Sequence, residues 1–195
     1  MDKIATKLET LGYRPCVYRI PATEALITEF ERTFELRLPP DYGDFLLRFG
    51  SYWGNGVSYH RRPTPYGEYV WVECFLGFMS GEDRGLDIRW ATECTAMRPY
   101  VAIVGDSYST YTLLLKCSGT NIGGVFLLDT EHRADWTDEK FREHFSSLPE
   151  DVERYLALRR SGNQTEKGEG EKHLYPIADS INDLIASMQS GEGMA

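Results

Sequence analysis

The chain has 195 residues, of which 42% are hydrophobic and 13% aromatic, enough for one sizeable core; wholesale disorder is excluded and one domain is the default. Twenty-one basic against 30 acidic side chains leave a net charge of −9, which repels phosphate backbones and anionic lipid and argues against nucleic acid and membrane as partners. No run of about 18 uncharged apolar residues occurs, and Met1-Asp2-Lys3-Ile4 opens without an apolar signal region, so a cytoplasmic chain without a membrane span is expected.

Ile4, Leu8 and Leu11 recur at helical spacing before Gly12 and predict a short opening helix with a glycine cap. Thr23 is a good N-cap for a helix over 24 to 36, on which Leu26, Ile27, Phe30 and Phe34 share a face. Leu38-Pro39-Pro40 breaks it, and Tyr42, Phe45, Leu46 and Phe49 then mark a second helix over 41 to 49, ended by Gly50. Residues 51 to 67 place Tyr52, Trp53, Tyr59 and Tyr66 among Gly54, Asn55, Gly56, Pro63 and Pro65, without a helical or strand period, and read as an irregular aromatic loop.

Residues 69 to 78, 101 to 104, 110 to 115 and 125 to 128 are apolar, β-branched or aromatic runs of strand length. The links 105 to 109 and 118 to 124 are too short for parallel crossovers, so the last three strands form an antiparallel meander. Beyond Trp136 the period is helical again: Phe141, Phe145 and Leu148 share one face, and Val152, Tyr155 and Leu156 another after Pro149. Residues 161 to 172 are polar throughout and read as a flexible loop. Ser180 caps a closing helix with Ile181, Leu184, Ile185 and Met188 on one face and Asp183 at the capping-box position. The expected fold class is α+β: a mainly antiparallel sheet of at least four strands flanked by helices, in a single domain. Trp71 and Trp90 are expected to be buried.

Chemistry-bearing motifs are sparse. Cys16, Cys74, Cys94 and Cys117 include no C-x-x-C pair, so reduced thiols are expected and a zinc knuckle is not. Asp129, Glu131, His132 and Asp135 are metal-ligand types crowded at the end of a strand, but their spacing matches no metal motif and a solvated loop end is the simpler reading. There is no G-x-S-x-G, P-loop or G-x-G-x-x-G, and the glycines of 119 to 124 lie in a hairpin rather than at the start of a helix. No catalytic residue, metal or cofactor is expected.

The block from Leu26 to Leu46, LITEFERTFELRLPPDYGDFL, resembles the opening of the SMI1/KNR4 family, also called the SUKH superfamily: a helix with paired apolar positions, Leu-Pro, then an aromatic and Phe-Leu on a second helix. The glycine-containing turn Phe49-Gly50-Ser51-Tyr52-Trp53-Gly54, the strand Val101-Ala102-Ile103-Val104-Gly105-Asp106, the hairpin end Gly124-Val125-Phe126-Leu127-Leu128-Asp129 and the closing Ala178-Asp179-Ser180-Ile181-Asn182-Asp183-Leu184-Ile185 follow in the family's order. The resemblance covers residues 20 to 188, leaving 1 to 19 as an N-terminal helix and lead-in. It departs from the family's pattern in two places: Ser107-Tyr108-Ser109 stands where a glycine usually follows the strand-end aspartate, and an added segment at 137 to 173, helical and then a flexible loop, precedes the closing helix.

The resemblance implies an α+β domain that binds protein and has no shared catalytic residues. In bacteria its members are mostly immunity proteins that neutralise secreted toxins, often nucleases; fungal relatives regulate cell-wall synthesis and signalling. The expected function is therefore binding and neutralisation of a cognate toxin with a basic surface. The alternatives are a regulatory or scaffold module without a toxin partner, and a hydrolase with an unrecognised site. Seven basic against eight acidic side chains in residues 1 to 60, seven against ten in 61 to 136 and seven against twelve in 137 to 195 concentrate negative charge toward the C-terminus. Because family members share a core, specificity belongs to loops and additions. The candidate partner-binding residues are the aromatics Tyr52, Trp53, Tyr59 and Tyr66 and the acids Glu82, Asp83, Asp87, Asp106, Asp129, Glu131 and Asp135. The sequence assigns no oligomeric state.

Overall fold

The computed structural model describes residues 3–64, 67–81, 86–95, 97–105, 111–131, 133–146, 149–161 and 173–191. Within them lie seven helices and one eight-stranded antiparallel sheet, an α+β architecture. The opening helix α1 (Lys3–Thr10) buries Leu8 and ends before Gly12, whose φ of 74° is the left-handed geometry a glycine cap supplies. Strand β1 (Arg14–Pro15) follows. In α2 (Glu24–Phe34) the Thr23 side chain accepts from the Leu26 amide at 3.2 Å, as its cap position predicts. Pro40 starts α3 (Pro40–Arg48), where it forfeits only an amide that has no helical partner.

These two helices lie against the sheet through aromatic contacts. Phe45 sits 5.1 Å from Phe75 between ring centroids, and Phe30 meets Phe78 edge-on at 6.1 Å. Residues 51 to 67 depart from the irregular loop expected of them. They include one long strand, β2 (Tyr52–Thr64), paired with β3 (Gly67–Phe75) through two shifts of register. The glycines that hid the period-two pattern face Tyr13: a Cβ on Gly54 would stand 2.5 Å from the Tyr13 ring.

A helix the sequence did not announce, α4 (Ile88–Thr95), joins β3 to β4 (Tyr100–Val104); it buries Ile88 and Thr92 and turns Trp90 outward, 45% exposed, against the expectation that Trp90 is buried. Trp71 is half-buried. Strands β4, β5 (Tyr111–Lys116) and β6 (Val125–Asp129) form the expected antiparallel meander. Their unbroken apolar runs reflect burial on both faces, because Val101, Ile103, Leu113, Leu114, Val125 and Leu127 are all inaccessible.

A 3₁₀ turn (Arg133–Asp135) leads to α5 (Asp138–His144) and α6 (Pro149–Ser161), whose Phe141 and Tyr155 rings pack 4.7 Å apart. The expected flexible loop lies almost wholly outside the described residues. A further unexpected strand, β7 (Leu174–Ala178), pairs with β6, and α7 (Ile181–Ser187) and β8 (Gln189–Ser190) complete the chain. Ser180 caps α7 by accepting from the Asp183 amide at 3.0 Å. Strand order follows chain order from β1 to β7, with β8 joining the edge of β2 beside β1. No helix among the described residues is long and apolar enough to cross a membrane.

Candidate partner-binding surface

The two sets of residues expected to meet a partner occupy different parts of the sheet: the β1–β2 edge and the end of β6, separated in strand order by β3, β4 and β5. At the first, Trp53 lies in register with Arg14 on β1 and Cys74 on β3, and its indole is 61% exposed. The turn after β1 leaves this edge: the Cys16 amide still donates to the Ser51 carbonyl at 3.1 Å, whereas the Ser80 amide donates to the Tyr18 carbonyl at 2.8 Å, so Tyr18 borders the segment after β3. It carries Val17 and Tyr18, which are 88% and 58% exposed. Sequence reasoning passed over both, since neither belongs to a periodic segment or an aromatic cluster. Exposed large apolar groups are the kind of surface that protein partners cover.

The neighbouring Tyr52 is committed to packing. Its ring meets Phe49 edge-on at 5.5 Å, and the Arg19 guanidinium lies 5.6 Å from its centroid while donating to the Phe49 carbonyl at 2.7 Å. Tyr59 belongs to β2 opposite Tyr69, and its side chain lies outside what is described, as do Tyr66, Glu82, Asp83 and Asp106 altogether.

The described acids divide by burial. Asp87 is turned inward, where its carboxylate accepts from the Met79 amide at 3.1 Å, the Arg89 amide at 2.8 Å and the Arg89 guanidinium at 2.5 Å. Burial pushes this carboxyl up, but the Arg89 guanidinium and the two amides outweigh it and hold Asp87 below the usual carboxylate range. Its place is a clasp between the segment after β3 and the start of α4. Asp129 is likewise buried, at the end of β6, with His173 Nδ1 3.9 Å from its Oδ2. Glu131 and Asp135 remain at the surface; Glu131 accepts from Arg133 Nε at 2.8 Å.

Among the described residues no three His, Cys, Asp or Glu side chains converge as a metal site would require. A cleft of about 580 Å³ opens between α2 and α4, lined in part by Phe34, Leu36, Met97 and Tyr100. Of its polar groups, the Thr33 hydroxyl donates to Glu29 O at 2.8 Å, the Thr92 hydroxyl accepts from the Ala102 amide at 3.2 Å, and Arg98 pairs with Glu35 at 3.0 Å. The Thr33 and Thr92 hydroxyls are thereby engaged with the backbone.

No curated protein and no solved structure matches the chain. The model of the SMI1 / KNR4 family (SUKH-1) matches residues 21–187, from the lead-in to α2 through the end of α7. The chain belongs to the SMI1/KNR4 (SUKH-1) family.

Proposed function

We propose that this protein is an immunity protein that binds a cognate secreted toxin and neutralises it by protein–protein contact, without catalysis. Family membership over residues 21–187 supports a protein-binding role. The observation that carries the reading further is the β1–β2 end of the sheet, where Trp53 is 61% exposed and the turn after β1 exposes Val17 and Tyr18. An indole held on a strand gives a large, rigid contact area at small entropic cost, the property of binding hot spots. The net charge of −9 supports a partner with a basic surface, as a nuclease toxin would present, by speeding encounter.

The test is co-expression with toxin domains encoded immediately upstream of this gene. The expected result is rescue of growth and a complex that survives gel filtration, both weakened by Trp53→Ala. No rescue by any neighbouring toxin domain, with co-elution of host proteins instead, would overturn this reading in favour of a regulatory module.

A further inference from the structure

Two of the four cysteines meet although 58 residues separate them in the chain: the Cys16 and Cys74 sulfurs lie 4.0 Å apart. Cys16 is half-buried just after β1, and Cys74 is buried on β3. Ser51, fully buried, sits between them, its hydroxyl oxygen 3.2 Å from the Cys16 sulfur and 4.0 Å from that of Cys74. A point equidistant from the three atoms lies about 2.2 Å from each, close to the roughly 2.3 Å of a zinc–thiolate bond. Three donors thus surround a space the size of a metal ion.

The backbone holds these atoms in place. The Cys16 amide donates to the Ser51 carbonyl at 3.1 Å, and a Cβ on Gly77 would stand 2.5 Å from the Ser51 nitrogen, so the chain packs closely around Ser51. The Ser51 hydroxyl reaches both the Phe75 carbonyl, at 3.2 Å, and the Cys16 sulfur. It has one proton to give, and when that goes to Phe75 its lone pairs turn toward the sulfurs, as a supporting hydrogen bond orients a metal ligand. A disulfide makes poorer use of the pair. Strand β2 runs between β1 and β3, so the two backbones stand about 10 Å apart in a regular sheet, whereas a disulfide spans roughly 7 Å or less. An ion between the sulfurs supplies the missing length.

We propose that Cys16 and Cys74, with Ser51 Oγ as a weak third ligand, bind a single copper(I) ion. Thiolates are soft ligands that select soft ions, and monovalent copper is satisfied by two or three donors. Zinc sites take three or four strong protein ligands, more than two thiolates and a neutral hydroxyl provide. Binding exchanges two S–H protons, released to solvent, for two copper–sulfur bonds; the copper stays monovalent and no electron moves. The half-buried Cys16 gives the ion its way in. Once bound, the ion ties the turn carrying Val17 and Tyr18 to β3, where Cys74 is in register with Trp53. The inference does not rest on the toxin reading and holds whatever the protein binds.

The test uses the full chain, reduced and kept under argon, titrated with copper(I) in competition with a chromophoric copper(I) chelator such as bicinchoninate. One ion per chain is expected, with X-ray absorption showing two sulfur neighbours, and excess zinc should leave it in place. Cys16→Ser and Cys74→Ser should each lower the affinity by about a hundredfold or more. Cys94→Ser, at an exposed position of α4, should leave it unchanged. No ion retained, displacement by zinc, affinity undiminished in Cys16→Ser, or an equal loss in Cys94→Ser would overturn the site. Should a variant fail to fold, the wild type decides: copper(I) should protect Cys16 but not Cys94 from alkylation. Labelling of Cys16 that the ion leaves unslowed would overturn the proposal equally.

Discussion

The Tyr13 hydroxyl donates to the backbone carbonyl of Val72, crossing β2 where Gly54 and Gly56 leave room for the ring. The lead-in to β1 thereby binds to the third strand over a neighbour that has no side chains at those positions. Burial pushes the phenol well above its usual range, so it remains a donor at any ordinary pH. Tyr13→Phe keeps the ring and leaves a buried carbonyl without that partner, and should cost about 1–3 kcal/mol in urea unfolding. Gly54→Ala should also destabilise, since its new Cβ would stand 2.5 Å from the ring. Unchanged unfolding midpoints in both variants would show that the crossing contributes nothing.

Phe45 faces Phe75 at 5.1 Å and Phe49 at 5.2 Å, and is only 3% exposed. Truncation to alanine leaves a cavity that the sheet cannot collapse into, at a cost of about 3–5 kcal/mol. In a chain of this length that lowers the melting temperature by roughly 10 °C. An unshifted melting curve would remove Phe45 from the core.

The helices over 23 to 49 were legible because their caps and apolar stripes are local, and Thr23, Pro40 and the Phe30–Phe34 spacing sit where the structure uses them. The meander was legible because β4 to β6 are buried on both faces and read as apolar runs. Strand β2 was not, because its glycines answer to Tyr13, some 40 residues earlier, and to Met188, far later in the chain. Strand β7 holds Pro176, which a strand tolerates at a sheet edge but which argues against a strand when only the sequence is read. At the candidate surface, residue type singled out Trp53 but could not tell Asp87 and Asp129, turned inward, from Glu131 and Asp135, turned outward. Acidity is written in the sequence, whereas direction is settled by partners such as Arg89.

The Asp87 clasp makes stability depend on pH at the acid end. Its carboxyl titrates below the usual range in the folded chain, so its contribution is present above the ordinary value near 3.8 and is lost as pH falls through the folded value. Asp87→Asn should destabilise by about 2 kcal/mol at pH 7. The difference from wild type should shrink below about pH 4 in thermal melts. A gap that persists undiminished at pH 2 would mean that the charge is not what matters at this position.

The four cysteines should separate kinetically. Cys94 is exposed on α4, whereas Cys117 is buried and its thiol is pushed up to about 12 by desolvation, then by Glu31. Only the thiolate alkylates readily, and Cys74 is buried as well. Iodoacetamide at pH 8 should modify Cys94 first and leave Cys74 and Cys117 intact until denaturant is added, as peptide mapping would read. Rapid labelling of Cys117 in the folded protein would contradict its burial at the end of β5.

Trp53 and the outward acids should affect binding differently, because one provides contact area and the others provide a long-range field. Once a cognate toxin is in hand, Trp53→Ala should weaken the complex by about 2 kcal/mol, roughly thirtyfold, mostly through faster dissociation. A Glu131→Ala, Asp135→Ala double variant should instead slow association, and more so at low salt than at high salt, since exposed charges act through a screened field. Asp87 and Asp129 do not belong in that variant: their side chains are buried, and removing them would confuse lost folding with lost binding. Surface plasmon resonance at two salt concentrations, after thermal melts have established that each variant folds, separates the two effects. If both rates are unchanged in both variants, the partner binds elsewhere, and the added helices α5 and α6 become the place to mutate next.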